Sequence, residues 1–165
     1  MSVTRGRAFE LWLAAAIVAL DQLTKALIRS RLALHDSVNV IPGLLDITHV
    51  RNTGAAFGIL NGVEFQHKAI VMAFVAIAAL VAVGMYAMTL PREQRVARYG
   101  LALILGGAVG NLIDRASTGY VIDFVDVYSR GIHFWAFNVA DSAITVGVML
   151  MLMDLLGVGR APETV

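Results

Sequence analysis

The chain contains no cysteine. Disulfides, thiolate metal sites and a cysteine nucleophile are excluded, and so is lipidation on cysteine. Charge is scarce as well: Asp, Glu, Lys and Arg make up 15% of the 165 residues and nearly cancel, leaving +1. That balance carries no nucleic-acid footprint, and no nucleic-acid partner is expected. No H-E-x-x-H occurs, and His35, His49, His67 and His133 are scattered, which argues against a zinc protease. Neither G-x-S-x-G nor a phosphate loop is present. Ser142 lies beside Asp141, with no base obviously placed for it. Neither a metal nor a cofactor is expected. Internal repeats and low-complexity segments are also missing.

What the chain does have is apolar surface. It is 58% hydrophobic, with a mean hydropathy of +0.74. That is too apolar for an ordinary water-soluble domain and points to a polytopic membrane protein. The length suits a single domain, 1–165. Four transmembrane helices are expected, at about 11–28, 69–90, 99–113 and 137–158. The clearest is 69–90, which carries no charge over 22 residues. Arg5 and Arg7 before the first apolar run resemble a signal peptide. Further spans follow, however, and no small-residue cleavage site precedes Asp21, so this run reads as a span. Gly106-x-x-x-Gly110 in the third span would let helix backbones approach closely.

Two connections separate these spans. In the first, Leu45 to Thr48 alternate apolar and polar residues, as a strand does. Pro42-Gly43 and Asn61-Gly62 are turn signals. A small surface sheet is therefore expected within 29–68. The second connection reads as a polar-aromatic loop carrying Asp123 and Asp126, with Phe124, Tyr128, Phe134 and Trp135 as interfacial aromatics. Lys and Arg divide almost evenly between the two sides. Arg92, Arg95 and Arg98 crowd a very short connection, which favours a cytoplasmic location for it and for both termini.

Whichever side that is, the end of span one, both long connections, the end of span three and the start of span four face the same way. Asp21, Lys25, Asn52, Asn111, Asp114, Asp123 and Asp141 can then converge on one site. Acids at the edges of apolar runs are costly unless paired or functional. Two carboxylates at close range share a proton, so Asp123 and Asp141 could perform general acid-base hydrolysis of a peptide with no covalent intermediate. The bland alternative is that Asp123 is a wet loop residue and Asp141 part of a capping box with Asn138. From spacing alone the two readings are about equal. Asp21 and Lys25, at i and i+4, read as a local pair. Asn111 would bond a substrate backbone or, the more usual use, a neighbouring helix, and Asp114-Arg115 would form an ion pair or anchor a loop. Asn52 would hold an extended peptide or make a turn, and Asp126 would face water.

Five blocks, in order, resemble the lipoprotein signal peptidase (signal peptidase II) family. They are Asp21-x-x-Thr24-Lys25, Asn52-x-Gly54-Ala55-Ala56-Phe57, Gly106-Gly107-x-x-Gly110-Asn111-x-x-Asp114-Arg115, Gly119-x-Val121-x-Asp123-Phe124 and Phe137-Asn138-x-Ala140-Asp141. The resemblance implies a four-helix aspartyl endopeptidase of the bacterial inner membrane, with an extracytoplasmic β-cradle and a periplasmic active site. It implies cleavage of prolipoproteins just before a diacylglyceryl-modified cysteine, by Asp123 and Asp141. Asp21, Lys25, Asn52, Gly54, Asn111, Asp114, Arg115 and Asn138 would shape the site or touch substrate. The expected partners are that lipidated precursor and membrane lipid, with the enzyme a monomer. A small proton-coupled carrier is the alternative, since intramembrane acids also mark ion paths. A non-catalytic assembly factor is the third reading.

Overall fold

The computed structural model describes residues 3–54, 67–91 and 93–157. Among the described residues there are four helices: α1 (Val3–Arg31), α2 (Lys68–Thr89), α3 (Arg95–Thr118) and α4 (Val139–Leu155). Four strands, β1 (Ser37–Ile41), β2 (Leu45–Asn52), β3 (Val121–Ser129) and β4 (Ile132–His133), join in the order β1-β2-β3-β4, each pair antiparallel. Among the described residues, three helical stretches are long and apolar enough to cross a membrane: Ala8–Arg31, Ile70–Thr89 and Arg95–Thr118. The fourth expected span corresponds to α4, a shorter helix of 17 residues. Along α2, Ile70, Phe74, Ile77, Val81, Met85 and Met88 point outward, as suits a lipid solvent.

Helix α3 packs against the other three helices, and glycines set how closely. A Cβ at Gly100 would lie 2.6 Å from the Gly147 carbonyl oxygen. One at Gly107 would strike the Ala140 carbonyl oxygen, and one at Gly106 would lie 2.8 Å from that of Ala14. In lipid no hydrophobic force drives helices together, so backbone-to-backbone approach carries the packing. The expected 106/110 pair is part of a longer row. Gly106 faces α1 and Gly107 faces α4, while Gly110 gives its space to the Asp21 carboxylate.

The sheet departs from the sequence reading. The Pro42-Gly43 turn joins β1 to β2, with Gly43 at φ 78° where a side chain would be strained. Half the strands come from the second connection, outside 29–68, where a loop is expected. Asp123 is the reason for the misreading, because an acid inside a strand breaks the apolar pattern. Val121, Ile122 and Phe124 are buried around it, and Ile122 and Phe124 form a core with Ile28 of α1. Phe124 is thus a core residue rather than an interfacial aromatic. The Tyr128 hydroxyl accepts from Asn39 at 3.0 Å and from the Gly43 N–H at 3.2 Å, tying down the β1–β2 turn. Asp126 pairs with His133 at 2.8 Å instead of facing water, because their strands run side by side. Phe134 and Trp135 remain exposed. Ala55 to Phe57 and the Asn61-Gly62 turn lie outside the described residues.

A glycine's value here depends on what its missing Cβ would meet. Gly147→Val should lower the thermal midpoint of the detergent-solubilised protein, by the equivalent of about 1–3 kcal/mol of overpacking. Gly84→Val, where nothing lies within 4 Å, should change it little. Equal effects at the two positions would refute the close-approach account.

Candidate active site

The site begins with a buried charge. Lys25 and Asp21, one turn apart on α1, are both fully buried and meet at 2.8 Å. Asp114 of α3 meets the same ammonium at 2.8 Å, and Asn111 Oδ1 accepts its third proton at 2.9 Å. All three Lys25 donors are used, as a buried cation requires. Both acids also accept from groups beyond Lys25. Asp21 Oδ1 accepts the Ala140 N–H at 3.0 Å, which satisfies an orphan donor in the first turn of α4. Asp114 Oδ1 accepts from Gln22 Nε2 at 3.2 Å, and its Oδ2 accepts the Ile122 N–H at 3.4 Å.

The start of α4 is fixed from both directions. Phe137 bridges β3 through its N–H to the Val125 oxygen and through its own oxygen to the Phe124 and Val125 N–H groups. Asn138 follows as N-cap. Its Oδ1 accepts the Asp141 N–H at 2.9 Å, and Asp141 Oδ2 accepts the Asn138 N–H at 3.3 Å. The capping box expected from Asn138-x-x-Asp141 is therefore present. It does not displace the acid-pair reading, because the capping residue also joins the acids: Asn138 Nδ2 donates to Asp123 Oδ1 at 2.7 Å.

Asp123 and Asp141 are brought together and each is held twice. Asn52 Nδ2 donates to Asp123 Oδ2 at 3.0 Å, across the β2–β3 pairing that sets Asn52 against Val121. Asn111 Nδ2 donates to Asp141 Oδ1 at 2.8 Å. Gly54 is buried; its N–H donates to Asn52 Oδ1 at 2.9 Å, and its carbonyl accepts from Arg115 at 3.0 Å. Arg115 therefore anchors the end of β2 instead of pairing with Asp114. Adjacent residues on a helix do not face each other, and Asp114 belongs to Lys25. The cation is still felt by both acids of the pair.

All ten residues singled out from the sequence thus form one connected cluster. Gln22 was missed: it donates to Asp21, Asp114 and the Gly110 carbonyl. Its spacing of three from Lys25 puts it near the same face, but its bonds to Asp114 and the Gly110 carbonyl lie across to α3, which spacing along α1 does not show. Among the described residues, no group of three or more His, Cys, Asp or Glu is placed to share a metal ion.

The electrostatics differ from those of an exposed aspartate. Burial pushes the Asp123 carboxyl up to about 7, and the nearby Asp141 charge adds to the rise. The amides of Asn52 and Asn138 and the Lys25 charge pull the other way without cancelling it. Near neutral pH the pair can therefore keep one proton, which is what an acid and a base working together need. The two sites titrate as a unit.

The similarities to known proteins agree with one another. A family model described as signal peptidase (SPase) II matches residues 13–157. The lipoprotein signal peptidase of Solibacter usitatus (strain Ellin6076) is 46% identical over 143 residues, covering 87% of each chain. That of Geobacter metallireducens (strain ATCC 53774 / DSM 7210 / GS-15) is 45% identical over 150 residues, covering 91% of each. A solved structure described as a bacterial membrane enzyme superposes with a TM-score of 0.82 at 34% identity, covering 96% of this chain and 94% of that one.

The raised Asp123 carboxyl has a stability consequence. Between 3.8 and about 7 the folded chain holds a proton that the unfolded chain has released, so stability falls as pH rises through that window. Asp123→Asn removes this dependence. Its thermal midpoint should gain on that of the parent protein as pH rises from about 5 to 8. A constant difference across the window would contradict the assignment.

Proposed function

The chain belongs to the signal peptidase II family: it is a bacterial membrane peptidase that removes signal peptides from prolipoproteins, and we propose that Asp123 and Asp141 do the chemistry. The observation that carries this is the cluster itself. Two acids from different elements, Asp123 buried and Asp141 partly buried, meet on amide donors, and the Asp123 carboxyl is raised to about 7. In the proposed cycle Asp141 holds the charge and takes a proton from water. It lies near the N-terminus of α4, whose partial positive charge favours a carboxylate. Asp123 holds the shared proton and gives it to the scissile carbonyl oxygen as water attacks the carbon. Collapse of the hydrated intermediate returns a proton from its hydroxyl to Asp123. Asp141 delivers the other to the leaving amine, so the pair ends as it began.

The proposed substrate is the diacylglyceryl-modified precursor, cut just before the modified cysteine. Acyl chains anchored in the bilayer would hold the scissile bond at the membrane surface and lower the entropic cost of alignment. We further propose four membrane spans. Helix α4, at 17 residues, is at the short end of the range that can cross, and it packs along α3. Arg95 and Arg98 at the α2–α3 connection support a cytoplasmic location for that end, which puts the sheet and the acid pair on the periplasmic side of the inner membrane. The enzyme is proposed to act as a monomer in contact with membrane lipid. The proton-coupled carrier finds no support: the relatives are peptidases, and the acids gather at one end of the helices.

The decisive experiment is turnover of a lipidated precursor by Asp123→Asn and Asp141→Asn, with thermal midpoints recorded. Asn is close to Asp in shape, and at 141 its Oδ1 can still accept the Asn138 N–H of the capping box, so the fold should persist. Activity should drop by about 10²–10⁴-fold at each position. An active, stable Asp141→Asn enzyme would leave Asp141 as a cap alone. The unmodified precursor should be cut far more slowly by the parent enzyme, and equal rates would count against the lipid's role.

Orientation has its own test. Reporter fusions at Gln94 should be cytoplasmic and fusions near Gly43 periplasmic. The reverse pattern would put the acids on the wrong side for a secreted precursor.

A further inference from the structure

Three asparagines surround the acid pair, and each aims its amide nitrogen at it. An amide has one donating end and one accepting end, so fixing one end fixes the other. In each case the oxygen is taken by a group that can only donate. Asn52 Oδ1 accepts the Gly54 N–H, and Asn138 Oδ1 accepts the Asp141 N–H. Asn111 Oδ1 accepts the Lys25 ammonium at 2.9 Å. The first two locks are local backbone contacts. The third is a buried side chain on another helix, the shorter of two contacts to that oxygen, the other being from Asn138 Nδ2 at 3.3 Å.

We propose that Lys25 is a positioning residue for the acid pair: it holds the Asn111 amide in its donating orientation toward Asp141 and, with Arg115, supplies the positive charge that lets the pair keep one negative charge. This rests on Asp123 and Asp141 being the catalytic pair. The geometry explains why lysine suits the position. Three acceptors, Asp21 Oδ2, Asp114 Oδ2 and Asn111 Oδ1, surround one nitrogen at 2.8, 2.8 and 2.9 Å. A planar guanidinium cannot present three protons from one atom. All four oxygens of the pair accept an amide N–H. The shared proton is left to a lone pair that no amide engages. The other charged groups around the pair are Asp21 from α1 and Asp114 and Arg115 from α3. Strand β2 contributes the neutral Asn52.

The test compares kcat, KM and the pH profile of kcat/KM for the parent enzyme and for Lys25→Met combined with Asp114→Asn. That double substitution removes one charge of each sign, so the net charge of the Asp21–Lys25–Asp114 trio is unchanged. The expected result is a kcat lowered roughly tenfold or more with KM within about twofold, since the lost interaction serves the reacting groups rather than substrate binding. The alkaline limb of the profile should move to higher pH, because the Lys25 charge favours ionisation of Asp123, and Asp114 does not oppose it there, which leaves Arg115 as the remaining cation near the pair. A folded double variant with parental kcat and an unmoved alkaline limb would reduce Lys25 to a packing group and overturn the proposal. If the double variant does not fold, Asn111→Asp decides. It keeps an acceptor for Lys25 but turns an acceptor toward Asp141, and should lose about a hundredfold in kcat; near-parental turnover overturns the proposal. Asp123→Asn and Asp141→Asn run alongside. Parental activity in either would place the fault with the pair itself and not with Lys25.

Discussion

Everything near the site depends on one ammonium group. Lys25 meets Asp21, Asp114 and Asn111 in a space that water does not reach. Removing one partner from such a cluster leaves a charge or a donor stranded, so its members stand or fall together. Through Asp21 the cluster reaches the first turn of α4, and through Asp114 it reaches the backbone of β3. Those are the elements that carry Asp141 and Asp123. Helix α1 supplies neither acid of the pair, yet it fixes the position of both.

The second constraint is distance between backbones. Glycines on α3 bring it against α1 and α4 so closely that carbonyl oxygens occupy the space where side chains would stand. At Gly110 the same space is filled by the Asp21 carboxylate. Packing and charge are thus linked: a larger residue there would push away the acid that pairs with Lys25. The sheet adds the remaining fixed points. The β2–β3 register brings Asn52 to Asp123, and Phe137 fastens the entry to α4 along the edge of β3.

Much of this was legible in the sequence, for physical reasons. Apolar runs announced the helices because lipid tolerates little else. Asp21 and Lys25 were readable as a pair because one helical turn separates them. The capping box was readable because Asn138 and Asp141 have its spacing. Strand β3 was not legible, since its buried aspartate imitates a loop residue. The partner of Asp114 was not legible either. Its neighbour in sequence, Arg115, was the obvious choice, but the true partner comes from a helix some ninety positions away. Gln22 bonds to Asp114 and to the Gly110 carbonyl through that same tertiary approach. Local spacing cannot report on a contact between helices. The chemical assignment from the five ordered blocks agrees with the family to which the chain belongs.

The stretch from Phe137 to Asp141 is attached at almost every residue: the bridge to β3, the N-cap with its amide on Asp123, the Ala140 N–H on Asp21, and the acid on Asn111. No slack exists between them. The preceding stretch is different, with Ser129 to Trp135 exposed and the short β4 hairpin turning at Arg130 and Gly131. Chain length can therefore be absorbed before Phe137 but not after it. A residue inserted into the hairpin lengthens a turn. The same residue inserted between Phe137 and Asp141 rotates α4 by about a quarter of a turn relative to the sheet. The carboxylate would then face away from Asp123, although α1, α3 and the sheet could keep their places.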